Sequence, residues 1–218
     1  MRISDHPLNS EGVWCELPTT PAPSRPALFL DRDGVIVEDT KYLCRAEDII
    51  MIPGAAGVIA AANTRGIAVV LVTNQAGIGR GYYGWSEFKA VQQAIVFTLV
   101  AEGARLDAVY ACPHHPEGRD EFAHPDHPAR KPNPGMLLQA ACDLALDLKR
   151  SWLVGDKVSD IEAAKRAGIA GAMQVATGHG IAERQRVSTL ATPAFEVRFA
   201  RSIADAMTLP ILSPRQVG

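Results

Sequence analysis

The sequence predicts an α/β fold: a three-layer, Rossmann-like arrangement in which a mostly parallel sheet carries helices on both faces. Short apolar runs alternate with segments of helical periodicity from residue 27 onward, which is typical of such a sheet. Residues 67–72 form an uninterrupted apolar run, as expected of a strand that is buried on both faces. Clusters of polar residues follow these runs at their carboxyl ends, where parallel sheets bind ligands.

The first half of the chain predicts two strands and two helices. Ala27–Leu30 is the first strand, and a helix over residues 54–65 ends before Gly66. Residues 67–72 are the second strand. Ser86 is a candidate cap for the next helix, whose apolar residues recur at helical spacing and form one stripe. That stripe consists of Phe88, Val91, Ile95 and Leu99.

The second half repeats the alternation. Asn133 and Pro134 predict the start of a helix, as a cap residue and a first-turn proline, and Gly168 ends a helix over residues 159–167. The inner face of the first of these helices is formed by Leu137, Ala141, Leu144 and Leu148. The strands predicted in this half are residues 107–111, 152–154, 170–175 and 194–197. A last helix is predicted near residues 200–207.

The composition excludes several classes of protein. The chain has 218 residues, of which 47% are hydrophobic, enough for one domain with a sizeable core. The formal net charge of −2 argues against a broad interface with nucleic acid or membrane lipid. No apolar run approaches the roughly 20 residues of a membrane span, and residues 1–10 lack the apolar core of a secretory signal. The four cysteines are not closely spaced, so we expect a cytoplasmic protein without a disulfide framework.

Residues 1–26 are predicted to form an N-terminal extension, and residues 27–218 a single domain. The prolines Pro18, Pro21, Pro23 and Pro26 crowd the end of the extension. Because proline favours extended backbone, we expect this segment to lie along the domain or to stay mobile.

Asp31 and Asp33 are the most informative residues, because they follow the first strand with one residue between them. Two carboxylates at the mouth of a sheet can hold a hard cation, attack an electrophile and carry a proton. Further motifs follow downstream. A hydroxyl and an amide at Thr73 and Asn74 can cradle a phosphate, although residues 73–77 also suit an ordinary turn.

Charged residues complete the pattern. Arg130 and Lys131 can neutralise phosphoryl oxygens, or they are a solvated pair before a helix. Asp156 follows the strand predicted at residues 152–154 and can meet Asp31 across the sheet to complete a magnesium site. Asp160 fits two interpretations equally well, a helix-start residue favoured by the helix dipole or a direct catalytic role.

Together these motifs resemble the haloacid dehalogenase-like (HAD-like) phosphohydrolase superfamily over residues 27 to about 178. They are similar in particular to the family of D-glycero-D-manno-heptose 1,7-bisphosphate 7-phosphatases and histidinol-phosphate phosphatases. The segments that carry this similarity are residues 31–34, 72–78, 80–81, 112–116, 130–132 and 155–157. The distance between Asp33 and Thr73 leaves no room for a large cap domain, so residues 38–53 and 112–129 must cover the site.

The resemblance implies a magnesium-dependent phosphomonoester hydrolase that works through an aspartyl-phosphate. The favoured substrate is a heptose 1,7-bisphosphate, which loses its 7-phosphate; the alternative is histidinol phosphate or another small phosphomonoester. A phosphosugar-binding protein without catalysis is the alternative from a different class. We expect a monomer whose partner is a small phosphorylated sugar.

The resemblance also implies roles for single residues. Asp31 would be the nucleophile and Asp33 the general acid and base, while Thr73 and Lys131 would bind the transferred phosphate. Magnesium would be held by Asp31, Asp33 through its backbone carbonyl, and Asp156. The implied substrate contacts are Asp39, Thr40, Lys41, Tyr42, Asn74, Gln75, Ala76, Arg130 and Lys157.

The family's zinc loop pairs a Cys-x-His with a later Cys-x-Cys. This chain keeps Cys112 and His114 but has His127 and Ala129 at the later positions. His124 could supply the missing ligand, and a set of one cysteine and three histidines suits zinc. The sequence therefore predicts either a structural zinc site or a loop that has lost its metal.

Overall fold

The computed structural model describes residues 8–17 and 24–213, and seven strands in this part of the chain form one sheet. The strands are β1 (Trp14–Glu16), β2 (Ala27–Leu30), β3 (Ala68–Asn74), β4 (Ala108–Cys112), β5 (Trp152–Gly155), β6 (Gly171–Val175) and β7 (Glu196–Ala200). Their order is β1-β4-β3-β2-β5-β6-β7. Every neighbouring pair is parallel except β1 and β4, which are antiparallel at one edge.

Helices cover both faces of this sheet. The α-helices are α1 (Ala55–Thr64), α2 (Ala76–Gly79), α3 (Trp85–Ala101), α4 (Gly135–Asp143), α5 (Val158–Ala167) and α6 (Gly180–Ser188). Short 3-10 helices lie at Ala46–Asp48, Asp120–Phe122, Leu148–Arg150 and Ile203–Thr208. One apolar cluster holds α1 and α3, and a second holds α4, α5 and α6. Among the described helices, none has the length and hydropathy that crossing a bilayer would require.

The central strands are buried on both faces, which explains their continuous apolar sequence. In β2, Leu28 and Leu30 belong to the cluster under α1 and α3, while Phe29 belongs to the opposite cluster. This alternation follows from the two-residue repeat of a strand, which sends successive side chains to opposite faces. The predicted three-layer fold with a mostly parallel sheet and no large cap is confirmed.

Most predicted elements coincide with observed ones to within one or two residues. Among the strands and α-helices, three were not predicted from the sequence: β1, α2 and α6. The 3-10 helices Ala46–Asp48 and Asp120–Phe122 were not predicted either.

The helix predicted after Asn133 is shorter than expected: Pro134, not Asn133, is the cap of α4, and Leu144 and Leu148 lie beyond its end at Asp143. The tail strand lies two residues later than predicted, and the last helix is the 3-10 helix Ile203–Thr208. Ser86 is not the cap of α3; the helix begins at Trp85, and the Gly84 N–H donates to the Glu87 carboxylate at 2.9 Å.

The described part of the N-terminal extension is packed into the domain. β1 pairs with β4, and Trp14 is fully buried with its ring centroid 5.5 Å from Trp85 and 5.2 Å from Phe88. Residues 1–7 and 18–23, which include three of the four prolines, lie outside the described residues. A division at residue 26 stays a prediction, but residues 14–16 complete the edge of the sheet and contribute a core side chain.

Trp14→Ala is expected to lower the free energy of unfolding by about 3–5 kcal/mol, because a large buried ring would leave a cavity beside α3. Urea denaturation followed by circular dichroism measures this change. Leu17→Ala is the matched control, because Leu17 is 39% exposed and its truncation should change stability by less than about 0.5 kcal/mol. Equal, small effects of both substitutions would show that the extension does not contribute to the core.

Candidate active site

Three neighbouring strands end at the predicted site, because β2 lies between β3 and β5 in the sheet. Leu30 at the end of β2 pairs with Val154 of β5, so Asp31 and Asp156 leave the sheet side by side. Thr73 lies near the end of β3 on the other side of Asp31. This is the switch point of the sheet, where connections run to opposite sides and leave a crevice for a ligand.

A buried lysine lies at the centre of the site. Lys131 Nζ donates to Asp31 Oδ1 at 2.9 Å and to the Val72 carbonyl at 2.8 Å, and it is 2.7 Å from Asp160 Oδ1. Burial disfavours the charge on Lys131, but Asp160 and Asp31 outweigh it and raise the pKa of the lysine. Lys131 is therefore a permanent cation beside the carboxylate that was predicted to be the nucleophile.

Asp31, Asp156 and Asp160 form a cluster of buried carboxylates, with one oxygen of each within 4.8 Å of the others. Asp156 Oδ2 accepts the His179 N–H at 2.7 Å, whereas its Oδ1 is buried without a hydrogen-bond partner among the described residues. Burial, followed by the charges of Asp160 and Asp31, raises the pKa of Asp156 to about 8. An unpartnered oxygen among like charges fits a hard divalent cation such as Mg²⁺.

Gly34 makes room for this carboxylate. Its φ of 84° lies in the left-handed region, and a Cβ at this position would be 2.7 Å from Asp156 Oδ2. Any other residue after Asp33 would therefore meet both a backbone penalty and a clash. The glycine of the Asp-x-Asp-Gly motif is required by the approach of the two strand ends.

Asp160 has the predicted helix-start role and also contacts the buried lysine, while a direct catalytic role stays a prediction. Its Oδ2 accepts the Lys157 N–H at 3.0 Å and so caps α5, while its Oδ1 pairs with Lys131. Its membership of the carboxylate cluster was not predicted. Spacing along α5 could have suggested it, because a residue in the first turn of a helix stays close to the strand end before it.

The side chain of Gln75 makes its hydrogen bonds within the protein, and its predicted role as a substrate contact stays a prediction. Its side chain is 2% exposed, and its amide Nε2 donates to Asp33 Oδ2 at 3.1 Å and to Thr73 Oγ1 at 2.8 Å. Its Oε1 accepts from Arg32 Nη2 at 3.2 Å and from the Tyr83 hydroxyl at 2.5 Å. Because a carboxamide has two N–H groups and two lone pairs to offer, no part of this side chain is free for a substrate.

A cavity of about 570 Å³ opens in front of the carboxylates. Its lining includes most of the predicted substrate residues, namely Asp39, Lys41, Tyr42, Asn74, Gln75, Ala76, Arg130 and Lys157, together with Asp33 and Lys131. Thr73 lines a small cavity that also contains Asp31 and Asp160, and Thr40 lines neither. The cavity further contains Arg80, Tyr83, His115 and His179, which were not predicted as site residues. Arg80 and His115 belong to segments that carried the family resemblance, so the sequence could have indicated these two as site residues.

Cations line the cavity, among them Arg80 and Arg130. Arg80 contacts the Tyr42 hydroxyl at 2.7 Å and His115 Nε2 at 3.1 Å, and Arg130 donates to the His114 carbonyl at 2.9 Å. Burial lowers the pKa of Arg130, although its guanidinium stays charged at any physiological pH. Arg80 also pairs with the exposed Glu117 at 2.7 Å, whereas Arg130 keeps its charge beside a neutral carbonyl. The part of the cavity lined by these two residues therefore suits an anionic group.

The opposite wall holds an ion pair that links two loops. Lys157 Nζ is 3.1 Å from Asp39 Oδ2, and His179 Nε2 is 3.2 Å from the same oxygen. Burial opposes the charge on Lys157, but Asp31, Asp156 and Asp39 outweigh it and raise the lysine pKa. Asp39 thus orients the Lys157 ammonium group, which also lines the cavity.

The predicted zinc ligands lie near one another but are not arranged as a ligand set. The rings of His114 and His127 stack face to face at 3.7 Å, and His124 lies 5.1 Å from His127. In the described part of the chain, the aspartate cluster is the one group of three candidate ligands within 4.8 Å. Burial raises the pKa of Cys112 to about 12, and burial with the nearby His114 lowers that of His127 to about 4. A zinc site here stays a prediction.

The loop is held by protein contacts. His114 Nε2 donates to the Glu11 carbonyl at 2.7 Å, and His127 Nδ1 accepts the Ala129 N–H at 3.1 Å. The first of these ties the loop to the N-terminal segment beside β1. Because Arg130 and Lys131 follow directly, these contacts bear on the position of both cations.

Fold and site together fit the phosphatase class, because a parallel sheet presents a carboxylate cluster and a buried lysine at its switch point. Comparisons with known proteins agree. The HAD-hydrolase-like family model matches residues 128–206. Over 167 residues the chain is 52% identical to the D-glycero-beta-D-manno-heptose-1,7-bisphosphate 7-phosphatase of Mesorhizobium japonicum, which covers 76% of this chain and 77% of that protein. The chain therefore belongs to the HAD-like phosphohydrolases, in the family that includes this enzyme.

Two solved structures are similar as well. A HAD-like phosphatase from Mesorhizobium loti has a TM-score of 0.81 and 44% identity, covering 95% of this chain and 94% of that one. The D,D-heptose 1,7-bisphosphate phosphatase of B. bronchiseptica, solved with magnesium and phosphate, has a TM-score of 0.73 and 30% identity. That alignment covers 83% of this chain and 95% of the other.

Proposed function

We propose that this phosphatase removes the 7-phosphate from a D-glycero-D-manno-heptose 1,7-bisphosphate in a magnesium-dependent reaction. The observation that carries the proposal is the buried contact of 2.9 Å between Lys131 and Asp31. Lys131 also lines the large cavity, whose lining includes the cations Arg80 and Arg130. The names of the relatives support the substrate. The sugar between two phosphates would span from the carboxylates to these cations.

Asp31 begins the reaction as the nucleophile. One of its carboxylate oxygens forms a bond to phosphorus, and the bond between phosphorus and the sugar oxygen breaks with its electron pair moving to that oxygen. Asp33 gives its proton to this leaving oxygen. Lys131 and the Thr73 hydroxyl hold the phosphoryl oxygens while their charge is redistributed.

Water completes the cycle. Asp33, now a carboxylate, takes a proton from the water as its oxygen attacks the phosphorus of the aspartyl-phosphate. The bond between phosphorus and Asp31 breaks, which restores the carboxylate and releases inorganic phosphate. Magnesium would be held by Asp31, Asp156 and the Asp33 carbonyl, and it would neutralise phosphoryl and carboxylate charge.

The second phosphate distinguishes the candidate substrates. Arg80 and Arg130 line the cavity and would bind the 1-phosphate, and Lys41 is a further cation there. Histidinol phosphate carries an amine at the corresponding end, which these guanidinium groups would repel. The cavity therefore favours a bisphosphate over histidinol phosphate.

The test is a comparison of kcat/KM, with magnesium, for both anomers of heptose 1,7-bisphosphate and for histidinol phosphate. One anomer is expected to exceed histidinol phosphate by about 100-fold or more, since two charge-assisted contacts contribute about 1.5–3 kcal/mol each. Equal or higher kcat/KM for histidinol phosphate would contradict the proposed substrate. No phosphate release from any of the three, or from p-nitrophenyl phosphate, would favour a protein that only binds phosphosugars.

Magnesium is expected to stabilise the folded protein, because the ion would offset the repulsion between the buried carboxylates. At a free concentration 100 times the Kd, the gain would be about 2.7 kcal/mol in the free energy of unfolding. Without metal, the raised pKa of Asp156 opposes folding at neutral pH, because the carboxyl must give up its charge when it is buried. Asp156→Asn removes this cost, so the variant should be more stable than the wild type in EDTA and should gain little from magnesium. Urea denaturation with EDTA or MgCl₂ measures both effects.

The control for this measurement is Asp147→Asn. Asp147 precedes β5, whereas Asp156 follows it, so the two aspartates lie at opposite ends of this strand. The Asp147 carboxylate faces Arg150 at 3.9 Å, and the variant should keep the magnesium response of the wild type. A full response in Asp156→Asn would exclude Asp156 as a magnesium ligand.

A further inference from the structure

Two residues predicted to have separate roles, Asp33 and Thr73, are connected through one buried amide. Gln75 Nε2 donates to both, at 3.1 Å and 2.8 Å. We propose that Gln75 is a positioning residue which, with Arg32 and Tyr83, orients the proton carrier and the phosphate-binding hydroxyl together. This inference rests on the proposed function, because it concerns the proton that Asp33 gives to the leaving oxygen.

The orientation of the amide is determined by its surroundings. Arg32 and the Tyr83 hydroxyl donate to Gln75 Oε1, so the N–H groups must point toward Asp33 and Thr73. Burial raises the pKa of Tyr83 to about 12, so its hydroxyl keeps the proton that it donates. If the amide were rotated by 180°, its NH₂ group would face the donors of Arg32 and Tyr83, and its oxygen would face the Asp33 carboxylate.

The Gln75 amide then determines the direction in which the Thr73 hydroxyl donates its hydrogen bond. Because Thr73 Oγ1 accepts the proton of Gln75, its own hydroxyl hydrogen is directed elsewhere. Thr73 is 1% exposed and lines the small cavity beside Asp31, where a phosphoryl oxygen would accept that hydrogen. Gln75 thus makes Thr73 a donor toward the phosphate.

Arg32 holds the other side of Asp33. Its Nε lies 3.2 Å and its Nη2 3.1 Å from the Asp33 carboxylate, and its guanidinium carbon lies 5.4 Å from the centre of the Phe88 ring. Arg32 is 1% exposed, whereas the side chain of Asp33 is 18% exposed toward the cavity. A fixed cation and a fixed amide therefore leave the carboxylate few orientations, one of which faces the substrate.

Tyr83 depends on a glycine for its place. A Cβ on Gly77 would clash with Tyr83 Cε1, so another residue at this position would displace the ring. The segment 75–83 accordingly supplies the amide, the hydroxyl that orients it and the space for that hydroxyl. Its function is to hold the side chains of Asp33 and Thr73 in position.

Substrates with different leaving groups test the proposal. A sugar oxygen is a poor leaving group and needs the proton of Asp33, whereas p-nitrophenolate leaves without one. We expect Gln75→Leu to lower kcat/KM by about 10–100-fold for the heptose bisphosphate and by several-fold less for p-nitrophenyl phosphate, as part of the 10²–10⁴-fold contribution of general acid catalysis is lost. Asp33→Asn should show the same selectivity more strongly, and Tyr83→Phe should show it more weakly.

Gln92→Leu is the matched control. Gln92 is a buried glutamine on α3, and neither its Nε2 nor its Oε1 has a hydrogen-bond partner among the described residues. This variant should keep wild-type kcat/KM for both substrates. Thermal unfolding of every variant shows whether it is folded at the assay temperature, and Tyr83→Phe provides the test if Gln75→Leu is not.

Two results would overturn the proposal: wild-type kinetics in Gln75→Leu and Tyr83→Phe, or equal losses for both substrates. Equal losses would mean that Gln75 only supports packing. Neither result affects the proposed function, which fails instead if the wild type releases no phosphate or if Asp31→Asn stays active.

Discussion

Asp31→Asn is expected to lower kcat by at least about 10⁴-fold, because an amide oxygen is a poor nucleophile and nothing in the site replaces it. The fold should persist. The amide oxygen introduced by this substitution can still accept a hydrogen bond from Lys131, which also keeps its contact with Asp160 at 2.7 Å. Phosphate release from the heptose bisphosphate, together with near-UV circular dichroism of the same sample, measures both outcomes.

Asp147→Asn provides the matched exchange of an aspartate outside the site, and it should leave kcat unchanged. An acid quench of the wild type during turnover should leave labelled phosphate on the peptide that contains Asp31. Residual activity of more than about 1% in pure Asp31→Asn, or label on another peptide, would contradict the role of Asp31 as the nucleophile.

Lys131→Met is expected to lower both stability and turnover. The lysine is fully enclosed between Asp31 and Asp160, so its removal would leave two buried carboxylates without their cation. Breaking a buried pair in this way costs about 3–5 kcal/mol in the free energy of unfolding. Turnover should fall by about 10²–10³-fold as well, since the transferred phosphate would lose a fixed positive charge. Urea denaturation and phosphate release measure the two losses.

A double variant separates charge from packing. Asp160→Asn removes one unpaired carboxylate, so Lys131→Met with Asp160→Asn should be more stable than Lys131→Met alone, with a coupling energy of about 1–3 kcal/mol. Activity should not return in the double variant. Additive losses of stability would show that the contacts of Lys131 with the carboxylates contribute little to the fold.

The strands of the sheet were predictable because their signals are local. Continuous apolar runs at β2, β3 and β5 indicate burial on both faces, and the polar residues that follow them indicate a common edge. Asp31, Thr73 and Asp156 were found in this way, each from its position at or near a strand end. The edge strand β1 was not predicted, because a strand of three residues is too short to show an alternation of apolar and polar side chains.

The side chains around Asp33 illustrate what a motif leaves open. Gln75 lies in a segment that resembles the family's substrate contacts, but its amide is turned inward toward Asp33 and Thr73. The orientation of the Gln75 amide depends on hydrogen bonds from Tyr83 and Arg32. The identity of these two residues in the sequence does not indicate that they contact Gln75. The resemblance likewise implied His114 and His127 as zinc ligands, and it did not indicate that their rings stack on each other at 3.7 Å.

The sequence by itself determined the three-layer fold and placed the candidate site residues at the ends of strands, because periodicity and the residues at strand ends depend on near neighbours in the chain. The tertiary structure decided which of these groups meet. Lys131 reaches Asp31 across 100 positions of sequence, and Asp160 joins them from the first turn of α5. Such contacts depend on how helices and strands pack. The folded sheet therefore decides that Asp31 and Asp160 contact Lys131, and that Asp156 joins them in the carboxylate cluster.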